Sequence, residues 1–135
     1  MIMNWNDTLE TGIAWQDSQH KEFFSKFADM VEDMKAGGGT EAVDRLLKFL
    51  STYTTTHFSD EERCMEKFNY EGYFVHRREH REFKSILSYL KWQFETQDTH
   101  MILIARLYNL LWDWLRYHMG ESDKTLGEFL KDKAI

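Results

Sequence analysis

Not one proline interrupts the 135 residues of this chain. Nothing in the sequence therefore breaks a helix by removing an N–H and clashing with the preceding turn. Apolar residues recur at intervals of three and four, the helical period. His20, Phe23, Phe24, Phe27, Met30, Val31 and Met34 trace a first stripe, with Asp17 or Ser18 as its N-cap. The Gly37–Gly39 run ends it, and Thr40 caps a second, which runs through Val43, Leu47, Leu50, Thr54, His57, Glu61, Met65 and Phe68. After a break at Asn69–Gly72 comes a third: Tyr73, His76, His80, Phe83, Leu87, Leu90 and Phe94. Gln97 and Asp98 mark a loop, and Thr99 caps a fourth stripe of Ile104, Leu107, Leu111, Trp114 and His118. Short connections make neighbours antiparallel. The expected fold is all-α: an up-down-up-down four-helix bundle with an extended arm over residues 1–17 and a short C-terminal helix around Leu126, Phe129 and Leu130.

Length predicts one domain, residues 1–135, and 42% hydrophobic with 16% aromatic residues supply its core. A net charge of −6 argues against nucleic acid or an anionic membrane as a partner. Cys64 is the only cysteine, so no internal disulfide forms. The first residues lack a charged segment followed by an apolar run, and no stretch is long and apolar enough to span a bilayer. A cytoplasmic, monomeric protein is expected.

The stripes do not stay apolar. His57 and Glu61 take the next two positions of the second, His76 and His80 two of the third, and His118 one of the fourth. A carboxylate facing a bundle interior is costly unless paired, protonated or metal-bound. Each four-residue pair sets two donors one turn apart on one face. Topology adds a second constraint, because starts of the first and third helices share an end with finishes of the second and fourth. His20, His57, Glu61, His76, His80, His118 and Asp123 all fall at that end. His118 and Asp123 fit poorly, since five residues on a regular helix turn them about 140° apart. A widened or broken turn near Gly120 is therefore predicted.

Five imidazoles, two bridging carboxylates and one shared solvent oxygen fill about eleven of the twelve positions on two octahedral ions, leaving one open. Mixed imidazole and carboxylate donors in that geometry suit iron or manganese better than zinc, calcium or magnesium.

These residues resemble the hemerythrin family. The likeness rests on Asp17-Ser18-Gln19-His20, on His57-Phe58-Ser59-Asp60-Glu61-Glu62, on His76 with His80, and on His118 with Asp123. It spans nearly the whole chain, whose length and Trp5 resemble the bacterial members. The resemblance implies reversible dioxygen binding at a non-haem centre of two iron ions joined by an oxo or hydroxo group. It gives His76, His80 and His118 to one iron, His20 and His57 to the other, which keeps the open position, and Glu61 and Asp123 to both. Phe58, Trp114 and Met119 are expected to line a dry oxygen pocket, with Asp60 and Glu62 solvated or supporting the ligands rather than acting as ligands. His100 is expected at the far end, on the surface or as a cap. The function expected is oxygen storage, transport or delivery to an oxygen-consuming enzyme, without catalysis. The alternatives are a sensor acting through a separate partner and a di-iron oxidase or peroxidase.

Overall fold

The computed structural model describes residues 5–97 and 100–133, apart from the side chain of His100. Helices α1 (Ala14–Lys35), α2 (Gly39–Lys67), α3 (Tyr73–Thr96) and α4 (His100–Asp113) form the bundle. A π-helical segment, Trp114–Ser122, continues α4 and leads into α5, Asp123–Leu130. A single 3-10 turn, Asp7–Leu9, lies in the N-terminal arm. Consecutive helices pack side by side, and the Phe27 and Tyr108 rings meet at 5.7 Å between α1 and α4. Thr99, the expected cap of α4, and the side chain of His100 lie outside the described residues.

Each helix buries most of the stripe that its sequence predicts, with Val31, Met34, Phe68, Tyr73, Phe94 and Ile104 half-buried toward the ends. On α2 the buried positions run Val43, Leu46, Leu47, Leu50, Tyr53, Thr54, His57, Phe58, Glu61 and Met65, at spacings of one, three or four throughout. On α3 they run His76, His80, Phe83, Leu87 and Leu90. The turn after α2 closes on Asn69, whose φ of 54° is the left-handed conformation asparagine tolerates at a helix end. Tyr70 N–H then donates to the Met65 carbonyl at 2.9 Å.

Helix α1 begins earlier than its cap-type residues suggest. Ile13 is the N-cap residue, and Asp17 sits in the first turn. The Asp17 carboxylate instead folds the arm back, accepting from Thr11 N–H at 2.8 Å, Thr11 Oγ1 at 3.0 Å and Gly12 N–H at 3.2 Å. A carboxylate at a helix start is electrostatically favoured whether or not it occupies the cap position, so composition alone did not locate the boundary.

Two apolar clusters result. The larger fills the bundle with Phe23, Phe27, Leu50, Phe58, Phe83, Leu107, Leu111, Trp114 and Met119 among its members. The smaller, built on Ile13, Met65, Leu126 and Leu130, plugs the end where the arm and α5 meet. Gly127 makes that plug possible. A Cβ there would lie 2.8 Å from Thr11 Cβ and 2.9 Å from the Thr11 carbonyl oxygen. The polar positions of the stripes lie between the two clusters in sequence: His57 and Glu61 precede Met65, and His118 and Asp123 precede Leu126.

Candidate metal centre

The seven side chains predicted to converge do so. His20, His57, Glu61, His80, His118 and Asp123 are at most 1% exposed, and His76 is 3% exposed. They form two groups that share both carboxylates: His76, His80 and His118 in one, His20 and His57 in the other. Glu61 Oε1 lies 2.9 Å from His76 Nε2 and 3.0 Å from His80 Nε2, while its Oε2 lies 3.1 Å from His57 Nε2. Asp123 divides the same way. Its Oδ1 lies 2.9 Å from His118 Nε2 and 3.1 Å from His76 Nε2, and its Oδ2 lies 2.8 Å from His20 Nε2.

Asp123 reaches this position because the helix widens before it. Asp123 N–H donates to the carbonyl of His118, five residues back rather than four. A Cβ on Gly120 would sit 3.1 Å from the carbonyl oxygen of Leu115, also five residues back, so glycine suits the close approach in the wide turn. The distortion expected from the five-residue spacing is thus present, as a full π-helical segment rather than one loosened turn.

Neighbours fix the imidazole orientations. His57 Nδ1 pairs with Gln19 Oε1. Gln19 Nε2 donates in turn to Asp60 Oδ2 at 2.8 Å. His80 Nδ1 meets Glu62 Oε2 and His118 Nδ1 meets Glu79 Oε1, both at 2.8 Å. Ser122 Oγ donates to the same Glu79 oxygen at 2.7 Å. All three Nδ1 atoms face acceptors and so carry the N–H. In the neutral rings each Nε2 then presents a lone pair to a carboxylate oxygen. Two lone pairs at these distances repel unless a cation, a proton or a metal, lies between them.

The electrostatics say the same. Burial alone would lower the pKa of His57, but Glu61 and Asp123 override it and raise the group from 6.5 to about 9. His76 behaves alike, burial being outweighed by Asp123 and Glu61, and also rises to about 9. Burial favours a neutral Glu61, yet the facing imidazoles hold its carboxyl well below the usual range. Burial and Glu61 both push Asp123 up, and His118 and His20 more than reverse them. Both ring nitrogens of His20, Nε2 of His57 and His118, and both Asp123 carboxylate oxygens are buried without an aligned hydrogen-bond partner. Such groups rarely persist in a folded interior without a ligand to satisfy them. The donor set fits metal cations, with five imidazole nitrogens and two carboxylates that each turn one oxygen to each group.

A model of the hemerythrin HHE cation binding domain matches residues 11–130. The chain belongs to the hemerythrin family. A bacteriohemerythrin of Pseudomonas paraeruginosa is 28% identical over 96% of this chain and 88% of its own length. A bacteriohemerythrin of Methylococcus capsulatus is 26% identical over 96% of this chain and 97% of its own length. Myohemerythrin-1 of Phascolopsis gouldii is 29% identical over 88% of this chain and 87% of its own length. No solved structure gives a significant match.

Around this hemerythrin site the aromatic residues are unevenly placed. Phe58 stacks on His80 at 3.9 Å and Trp114 on His118 at 3.7 Å, so both cover the three-histidine group. Met119 is fully buried in the main apolar cluster. On the two-histidine side the stacking ring is Tyr53, 5.0 Å from His57. A surface cleft lined by Gln19, Tyr53 and Thr56 reaches His57. Sequence reasoning overlooked Tyr53, Gln16 and Glu79 and gave Gln19 no role of its own. Tyr53 and Gln16 each stand four residues before a site histidine, so helical spacing carried a signal for these two.

Proposed function

We propose that the chain binds dioxygen reversibly at a non-haem di-iron centre, for storage, transport or delivery to an oxygen-consuming enzyme. The observation that carries this reading is the division of each shared carboxylate, one oxygen toward the three-histidine group and the other toward the two-histidine group. Two octahedral ions held there would be unequally served. Three nitrogens and two oxygens face one position, and two nitrogens and two oxygens face the other. With a shared oxo or hydroxo group as well, an octahedral ion on the two-histidine side would still have one position open to a small ligand. Iron held by these residues would supply a reversible electron source beside that site.

The chain's own groups support binding over turnover. Only two carboxylates serve the pair, against five neutral imidazoles, so the donor set does little to stabilise high oxidation states. Related carboxylate-rich sites in bundles carry four glutamates and two histidines. Gln19, Glu62 and Glu79 hold three imidazoles with Nε2 inward. Phe58, Trp114 and Met119, in this reading, keep water from the centre. The same proposal makes the protein a cytoplasmic monomer. Among the described residues no helix is long and apolar enough to cross a membrane.

The test is dioxygen uptake by the reduced, iron-loaded protein under repeated cycles of air and argon. A coloured form that appears and disappears with one dioxygen per iron pair supports carriage. Irreversible bleaching, or many turnovers of an added reductant, would instead assign an oxidase.

A further inference from the structure

Gln16 is a glutamine on the buried face of α1, wholly inaccessible to solvent and one turn before His20. Its Nε2 donates to Glu61 Oε2 at 2.8 Å and lies 3.5 Å from the backbone carbonyl oxygen of Asp123. Both partners are acceptors, so the NH2 end of the amide must face the centre. The other end, Oε1, is buried without a hydrogen-bond partner. An apolar side chain of similar length would fill this position without stranding an acceptor. The amide is also held in place. A Cβ on Gly127 would stand 3.3 Å from Gln16 Oε1, so α5 backs directly onto it.

We propose that Gln16 is a positioning residue that polarises the Glu61 carboxylate and so raises the reduction potential of the metal pair. This inference rests on the di-iron reading above. Glu61 Oε2 is the oxygen turned toward the two-histidine group. A hydrogen bond to it draws off part of its negative charge and weakens it as a donor to a cation there. Oxidation adds positive charge to the metal and gains most from an undiminished carboxylate, so the N–H favours the reduced state. The effect would be largest on an ion held by His20 and His57, the group that Glu61 Oε2 faces.

The test uses the full chain loaded with iron, in wild-type form and as Gln16→Met and Gln16→Leu. Both variants remove the donor and place an apolar side chain at this buried position. Iron per chain, helical circular dichroism and midpoint potential are measured together. The expected result is unchanged iron content and helicity, with a potential lowered by a roughly tenfold change in the ferric-to-ferrous ratio, about 59 mV for one electron. An unchanged or raised potential overturns the proposal. So does loss of iron or of folding in both variants, which would make the amide an assembly element instead. A wild-type protein that takes up no iron removes the di-iron reading itself, an outcome distinct from an unmoved potential in a loaded variant.

Discussion

Glu61 is where the account is most exposed to a single substitution. Its two oxygens face His57, His76 and His80 within 3.1 Å and receive Gln16. Glu61→Ala removes the carboxylate that faces His80 Nε2 and accepts from Gln16, and leaves Asp123 alone to serve His57 and His76. It is expected to empty at least one metal position and to destabilise the loaded protein by about 3 kcal/mol or more, read by metal analysis and thermal unfolding. Glu79 tests the supporting layer. Its carboxylate orients His118 and Ser122 from α3 without belonging to either donor group. Glu79→Ala should retain the fold and weaken metal binding about 10–100-fold in competition with a chelator. Six of the seven converging residues were legible in the sequence because each occupies a stripe position where an apolar residue is the rule, and Asp123 was legible only through its place at the same end of the bundle and through the family resemblance. Glu79 and Gln19 were not, because a polar residue beside a stripe reads as ordinary helix surface. Only the fold reveals that Glu79 faces His118, 39 residues away.

At the scale of elements, the wide turn and the end plug do the positioning. Helical periodicity recovered α1 to α4, since burial follows the three-and-four spacing along each of them. It also exposed its own exception, because His118 and Asp123 share a site that a regular helix would deny them. The length of the π-helical segment was not readable, since the widening is a backbone response to packing rather than to any local residue preference. Nor was the role of the arm. Its return over α5 depends on Asp17 accepting from Thr11 and Gly12, and on Lys124 Nζ donating to the Thr8 carbonyl at 2.8 Å. Gly127→Ala drives a methyl into the Thr11 backbone and should cost about 1–3 kcal/mol. Thermal unfolding checks this.

For the whole molecule, protons and metal compete for one interior. In the metal-free protein His57 and His76 have pKa values near 9, against 6.5 when unshifted. Their contribution to stability is complete below pH 6.5 and is lost as pH rises through about 9. Glu61 and Asp123 are shifted down, so their contribution is present above their ordinary values of 4.5 and 3.8 and is lost as pH falls below them. The metal-free protein should therefore be most stable between about pH 5 and 6.5. Metal binding requires neutral imidazoles, so loading near neutral pH must release protons, and affinity should climb until about pH 9. Calorimetric titration in buffers of different ionisation enthalpy measures that release. Chelation should accordingly lower the unfolding temperature more at pH 8 than at pH 6. The most direct measurement is anomalous diffraction at the iron absorption edge from crystals of the iron-loaded protein. The account predicts two peaks within about 4 Å of each other, one beside His76, His80 and His118, the other beside His20 and His57, with Glu61 and Asp123 reaching both. A single peak, or two that do not share those carboxylates, would contradict it.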